Sequence, residues 1–236
     1  MLADERLAVS DVWREALAII RRYPLATILP AAVLAALADA PYYFLEQSGF
    51  AWEELLTFLT AAFAYYLYLA YAEEVAAEAE RGADRITTRG VLRELRQAAP
   101  VVPPVIVASV LAISVPTAAT GLLVIPGVWL LTRWSLFAPA ISRERIGPVQ
   151  ALKRSSRLVR DHFWLVCLTA TLAFILEEAI VHAGALVGHR ILGSDTWGEW
   201  TGATVSAALI TPLAALATSV TYQRLTTHGV FWREDR

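Results

Sequence analysis

Six apolar stretches, each about as long as a bilayer is thick, are joined by connections that are rich in cations on every second crossing and nearly empty of them on the others. Crossing roughly 30 Å of hydrocarbon takes about 20 residues at 1.5 Å each in a helix. The stretches run approximately from Leu25 to Leu45, Trp52 to Ala72, Val101 to Val124, Ile125 to Ser142, Phe163 to Val187 and Trp200 to Tyr222. Lipid offers the backbone no hydrogen-bond partners, so spans of this length are expected to be helices that satisfy their own polar groups. The expected fold class is therefore all-α, an integral membrane bundle of six transmembrane helices.

Charge gives the bundle a direction. Of the 20 Lys and Arg residues, 18 fall in the N-terminal segment, the stretch 73–100, the stretch 143–162 and the tail. The opposite connections at 46–51, 119–127 and 188–199 hold only Arg190, and Arg133 lies within a span. Cytoplasmic loops carry the excess of basic residues. The expectation is a multi-pass protein of the bacterial cytoplasmic (inner) membrane with both termini cytoplasmic. Gly121 and the step Ile125-Pro126-Gly127 are both candidates for the turn between spans three and four. Tyr42, Tyr43 and Trp52, then Trp197 and Trp200, then Phe163 and Trp164 stand where interfacial aromatic residues are expected. Thr196 and Glu199 have capping-box spacing before span six. Ala38-Asp39-Ala40 resembles a signal-peptide cleavage site, but the long polar lead and Pro41 argue against cleavage.

Composition excludes the other classes. With 57% hydrophobic and 18% charged residues and a mean hydropathy of +0.50, the chain is too apolar for a water-soluble globule or a disordered segment. A net charge of -2 gives nucleic acid no overall attraction. Cys167 is the single cysteine, so neither a disulfide framework nor a thiolate metal site is expected.

Each pair of spans is preceded by a segment of helical periodicity with one basic face. The first groups Val12, Trp13, Ala16, Leu17 and Ile20 apart from Arg14, Arg21 and Arg22. The second groups Val91, Leu92, Leu95 and Ala99 against Arg89, Arg93, Glu94 and Arg96. The third opens at Gly147-Pro148 and separates Ala151, Leu152, Ser155, Leu158 and Val159 from Lys153, Arg154, Arg157 and Arg160. Three cytoplasmic interfacial amphipathic helices follow, in one polytopic domain over 1–236 with repeat units near 10–72, 88–142 and 148–222 and a pseudo-threefold arrangement. Their basic residues either hold anionic headgroups or a partner protein, or simply obey the charge bias as connectors.

Charges within the apolar spans are costly and are the default functional candidates. Asp39, Glu177 and Glu178 are expected in the outer half of the bilayer, with Arg133 at comparable depth, giving a polar centre completed by His182. It either binds an ion or headgroup or pins helices together. Glu178, His182 and His189 share helical spacing, but two or three ligands fall short of a catalytic zinc site. The Glu-Glu-x-x-x-His arrangement resembles prenyl-processing intramembrane metalloproteases, yet lacks their further His motifs. No G-x-S-x-G elbow exists, and Cys167 has no His in its span. No metal, cofactor or catalytic residue is expected. Gly184 and Gly188, with Ala203, Ala207 and Thr211, permit close helix contact, within the bundle or in a homo-oligomer. Tyr65, Tyr66, Tyr68 and Tyr71 form a stripe that could line a lipid-facing groove, and eight prolines in or near the spans each free a carbonyl. Glu73, Glu74, Glu78 and Glu80 read most simply as a solvated helix end.

Gly121 to Gly127, Trp129, Arg133 to Leu136, Ala138-Pro139-Ala140, Gly147-Pro148, Ala151 to Ser155 and Arg157 to Trp164 together resemble a known pattern. It is that of the polytopic membrane domain attached to some bacterial glycerophosphodiester phosphodiesterases and of related stand-alone six-helix membrane proteins. The resemblance covers about 45 residues. It implies a bacterial inner-membrane bundle and no enzymatic activity, because the phosphodiesterase chemistry of those fusions resides in a separate barrel domain. The leading expectation is a non-enzymatic protein that binds membrane lipids, or a membrane or cytoplasmic protein, in membrane homeostasis or assembly. A transporter using the intramembrane charges is the alternative, and a metal-dependent hydrolase a more distant one.

Overall fold

The computed structural model describes residues 8–45, 53–82, 99–101, 103–112, 124–193 and 196–231. Every regular element among them is helical: α1 Val9–Arg22, α2 Pro24–Leu45, α3 Glu53–Glu80, a 3-10 turn Ala99–Val101, α4 Pro103–Ala112, α5 Val124–Trp134, α6 Phe137–Glu144, α7 Pro148–Arg160, α8 Phe163–Leu192 and α9 Thr196–Phe231. Three helices are long and apolar enough to cross a membrane, over Pro24–Phe44, Phe163–Leu192 and Thr196–Thr227. They differ in depth. Only 17% of the apolar window of α8 is buried within the protein, against 61% for α9. So α9 is the axis, packed by α8, α2, α1 and α3. Along α8, Leu168, Leu172, Phe174, Ile175, Leu186 and Val187 face outward, a continuous apolar surface that water would not tolerate.

The second basic segment, with Arg89, Arg93 and Arg96, lies outside the described residues, as does the turn near Gly121. Of the stretch from Val101 to Val124, the described helix is the 10-residue α4. The expected single helix from Ile125 to Ser142 is instead two, α5 of 11 residues and α6 of 8. Proline causes the break. Pro139 has no N–H for the Ser135 carbonyl, and its ring crowds the turn before it. Ser155 of α7 repairs the gap by accepting from Leu136 N at 3.1 Å and donating to Arg133 O at 2.7 Å. Replacing this buried serine with alanine strands both groups and is expected to cost about 1–3 kcal/mol in thermal unfolding. Residues 137–142 of α6 are all buried, against α3, α7 and α9.

Proline also explains the tyrosine stripe. Pro30 cannot bond the Ala26 carbonyl. Tyr71 Oη donates to Ala26 O at 2.7 Å and Tyr68 Oη to Thr27 O at 2.9 Å. Both rings are buried, so these two do not line a lipid-facing groove; Tyr71 replaces the hydrogen bond that Pro30 denies Ala26, and Tyr68 adds one to the next carbonyl. Tyr71→Phe should therefore destabilise by about 1–3 kcal/mol. In a Pro30→Ala background the helix can supply its own N–H, and most of that loss should vanish in a double-mutant cycle.

The glycine pair meets α9 of the same chain. A Cβ at Gly188 would collide with Gly198 O, and one at Gly202 with Gly184 O. The far end of this hairpin is closed by aromatic rings, Phe44 on Trp197 and Trp200 at centroid distances of 4.6 and 5.6 Å. There Trp200 Nε1 donates to Ala36 O at 3.3 Å, tying α9 to α2.

Candidate functional site

Two groups of polar side chains arise from this packing, and they lie at different levels. The first is at the end where α1, α6 and α7 meet the last turns of α3 and α9. On α3, the glutamates expected as a solvated end are instead partly internal. Glu73 is 2% exposed and receives Arg143 Nη1 at 3.3 Å, while Arg143 Nη2 reaches Glu80 at 2.6 Å. Arg145, in the left-handed conformation at φ 53 that ends α6, reaches Glu74 at 3.2 Å. Gln223 of α9 completes the group in the orientation that turns its nitrogen to Glu80 at 2.9 Å and its oxygen to Arg143 at 3.2 Å. Burial raises the Glu73 carboxyl from 4.5 to about 7, although Arg143 acts to lower it.

Beside it, Glu144 accepts from Tyr222 Oη at 2.5 Å and from Arg154 Nε at 2.8 Å. Burial would raise this carboxyl, but the hydrogen bonds from Tyr222 and Arg154 outweigh it and hold the group below 4.5. Arg224 donates twice to Glu15 Oε2, at 3.0 Å from Nε and 2.5 Å from Nη2, and so binds α1 to α9. Sequence spacing gave no sign of these pairs: apart from Glu144 and Arg154, 10 residues apart, the partners lie 63 to 209 residues apart.

The basic residues singled out from sequence divide accordingly. Arg154 is consumed by Glu144, Arg14 pairs with Asp11 at 2.9 Å, and Arg22 lies over the Tyr23 ring at 5.3 Å. Arg160 meets only the neighbouring Asp161, at 3.6 Å with both largely exposed. Among the described residues, Arg21, Lys153 and Arg157 form no ion pair. On the other side of α7, Ala151, Leu152, Ser155 and Val159 are buried.

Arg133 also belongs to this end. Its Nη2 donates to Ser156 O of α7 at 3.3 Å, and its guanidinium lies 4.6 Å over the Trp129 ring. It is thus held by α7 and not by the intramembrane carboxylates with which it was expected to pair. The break after Trp134 is the reason, since it sets the end of α5 against α7.

The second group lies along α2, α8 and α9. Glu177 accepts from Thr211 Oγ1 at 2.6 Å and is within electrostatic reach of Asp39, whose Oδ2 is buried without a hydrogen-bond partner. Glu178 and His182 lie on the exposed side of α8, with His182 Nδ1 2.8 Å from Glu178 O. His189 turns to Glu199 at 2.8 Å across the hairpin. Among the described residues no three His, Cys, Asp or Glu side chains gather in a way that could hold a metal. The expected centre therefore divides: Asp39 and Glu178 lie within electrostatic reach of Glu177, Glu178 and His182 are exposed, and Arg133 is held by α7.

Comparison with protein-family models, curated proteins and solved structures finds no match to this chain.

Proposed function

We propose that the chain is a non-enzymatic, multi-pass protein of the bacterial inner membrane that binds anionic lipid through α1 and α7, with the basic end and both termini in the cytoplasm. One observation carries this reading. The carboxylates at that end are already engaged with Arg143, Arg145, Arg154 and Arg224, whereas Arg21, Lys153 and Arg157 form no ion pair among the described residues. These cations sit on helices whose other faces are buried, Val12 and Ala16 in α1 and Ala151 and Val159 in α7. A helix held in that way on a bundle of long apolar helices presents its cations to the headgroup layer. Two short helices, each leading into two long ones as α1–α2–α3 and α7–α8–α9, also fit the threefold unit read from the sequence. In that scheme α3 is a span up to Ala72, and the remaining two would have to come from the stretch 101–142, whose described helices α4, α5 and α6 are each 11 residues or shorter.

The full-length protein in nanodiscs tests the reading. Phosphatidylglycerol should raise the unfolding temperature relative to phosphatidylcholine, and added salt should erode the difference. Arg21→Gln should reduce it further. Equal stability in the two lipids at low salt would refute lipid binding by these helices.

A second reading has one specific observation in its favour. Asp39 and Glu177 approach each other between helices with no cation beside them among the described residues, an arrangement suited to carrying a proton or cation. Flux in proteoliposomes that is abolished by Glu177→Gln, with unfolding temperature unchanged, would establish it. Flux that survives the substitution, or none in the parent protein, would reject it.

A further inference from the structure

A groove of about 620 Å³ opens between α4, α5 and α7, lined by Leu111, Trp134, Val149, Leu152, Lys153, Ser156 and Arg157. That volume falls in the range of roughly 300–1,000 Å³ typical of clefts for small ligands. Its lining is of two kinds. Leu111, Trp134, Val149 and Leu152 make an apolar wall, and Lys153 and Arg157 supply two positive charges with no carboxylate among the lining residues. Val149 is 53% exposed, an apolar side chain left open on a helix whose other exposed residues are polar or basic. Next to the groove, Arg133 Nε is buried without a hydrogen-bond partner.

We propose that this groove holds one anionic diacyl phospholipid, its phosphate at Lys153 and Arg157 and the upper part of an acyl chain against Trp134, Val149 and Leu152. Charge and polarity select this occupant. A soluble anion would satisfy the cations and leave the apolar wall wet; a purely apolar ligand would leave Lys153 without a counter-charge and Arg157 with only a distant share of Glu144, which already holds Arg154. A phospholipid carries both halves in one molecule. Position agrees as well. Arg157 precedes by six residues the start of α8 at Phe163, one of the helices long enough to cross a membrane, so the groove lies close to the level of the headgroups. Basic pockets between helices at that level are the usual sites for anionic headgroups, and lysine and arginine can reach a phosphate while their stems cover apolar surface. The proposal rests on α7 lying at the membrane surface, as in the reading above, and adds to it a single defined site.

Native mass spectrometry of the full-length protein in detergent, titrated with phosphatidylglycerol or phosphatidylcholine, tests it. One phosphatidylglycerol per chain should be retained in preference to phosphatidylcholine. Joint Lys153→Gln and Arg157→Gln substitution should weaken retention about twenty-five-fold, from about fivefold for each cation. Val149→Glu, at an exposed position, should weaken it by charge repulsion with the helical signal and unfolding temperature preserved. Arg21→Gln, outside the groove, should leave it unchanged. A preference for phosphatidylglycerol that declines equally for Arg21→Gln and for the groove variants would overturn the single site while leaving general lipid binding intact. No preference in the parent protein would overturn both. A second protein chain, retained in place of lipid and lost with Val149→Glu, would also overturn the proposal.

Discussion

Gly202→Ala and Gly188→Leu are expected to be among the most damaging single substitutions in the chain. Where α8 and α9 cross, a Cβ on Gly202 falls on the backbone of Gly184 and one on Gly188 falls on the backbone of Gly198. Neither obstacle can rotate away, so the helices must move apart. Separation would loosen the packing through which Thr211 reaches Glu177 and the ring cluster of Phe44, Trp197 and Trp200 holds the far end. Overpacking of this kind costs about 1–3 kcal/mol for a methyl group and more for leucine. Gly147→Ala is the matched control. Nothing lies within 4 Å of its added carbon, and the remaining cost is that alanine is a poorer cap than glycine at the start of α7, so its effect should stay within about 1 kcal/mol. Unfolding followed by tryptophan fluorescence in detergent measures all three. Equal effects of Gly202→Ala and Gly147→Ala would mean that α8 and α9 do not meet in this way.

Arg143→Ala is expected to destabilise strongly at alkaline pH and weakly at acid pH. Its cause is Glu73, which burial lifts to about 7 from 4.5. The folded chain thus holds this proton more tightly than the unfolded chain. Its contribution to stability is full below about pH 4.5 and is lost as pH rises through about 7. Above that point Arg143 is the cation that faces the ionised, buried carboxylate. Removing it at about pH 8 should cost about 2–3 kcal/mol, at or just below the bottom of the roughly 3–5 kcal/mol range for a broken buried pair because Arg143 is itself about one-third exposed. At about pH 5 Glu73 is neutral, and the loss should shrink below about 1 kcal/mol, the worth of the exposed pair with Glu80. Glu73→Gln should flatten the pH dependence of stability. A pH-independent cost of Arg143→Ala would show that Glu73 does not titrate in this range.

Periodicity and charge alternation made some of this architecture readable from sequence. Helices at 9–22, 24–45, 148–160 and 163–192 follow from apolar repeats and from Pro148 opening a helix, because these are local rules. The glycine spacing of α8 also indicated close approach, and the fold supplies α9 as the partner. What failed was non-local. Pro139 signalled a freed carbonyl, but not that Ser155 of another helix would repair the break and set Arg133 beside α7. The α3 glutamates appeared solvent-facing because the sequence shows a run of charge next to Arg81 but not the arginines, some 70 residues later, that cover it. Tyr68 and Tyr71 looked like a surface stripe because the sequence did not show that they turn inward onto α2, where Tyr71 caps the carbonyl that Pro30 leaves free. For the candidate site, the cations of α1 and α7 were visible in advance. Which of them remain without a carboxylate depended on α3, α6 and α9 folding onto the same end.

The central claim is that the chain is threaded through a bilayer with its basic end on one face. Cysteine accessibility in intact bacterial cells measures this directly, in a Cys167→Ser background that removes the native thiol. Lys153→Cys should react with a membrane-impermeant maleimide only after the inner membrane is opened. Arg190→Cys, near the other end of the 30-residue α8, should react from the periplasmic side without opening it. Labelling of both positions from the same side would contradict the account.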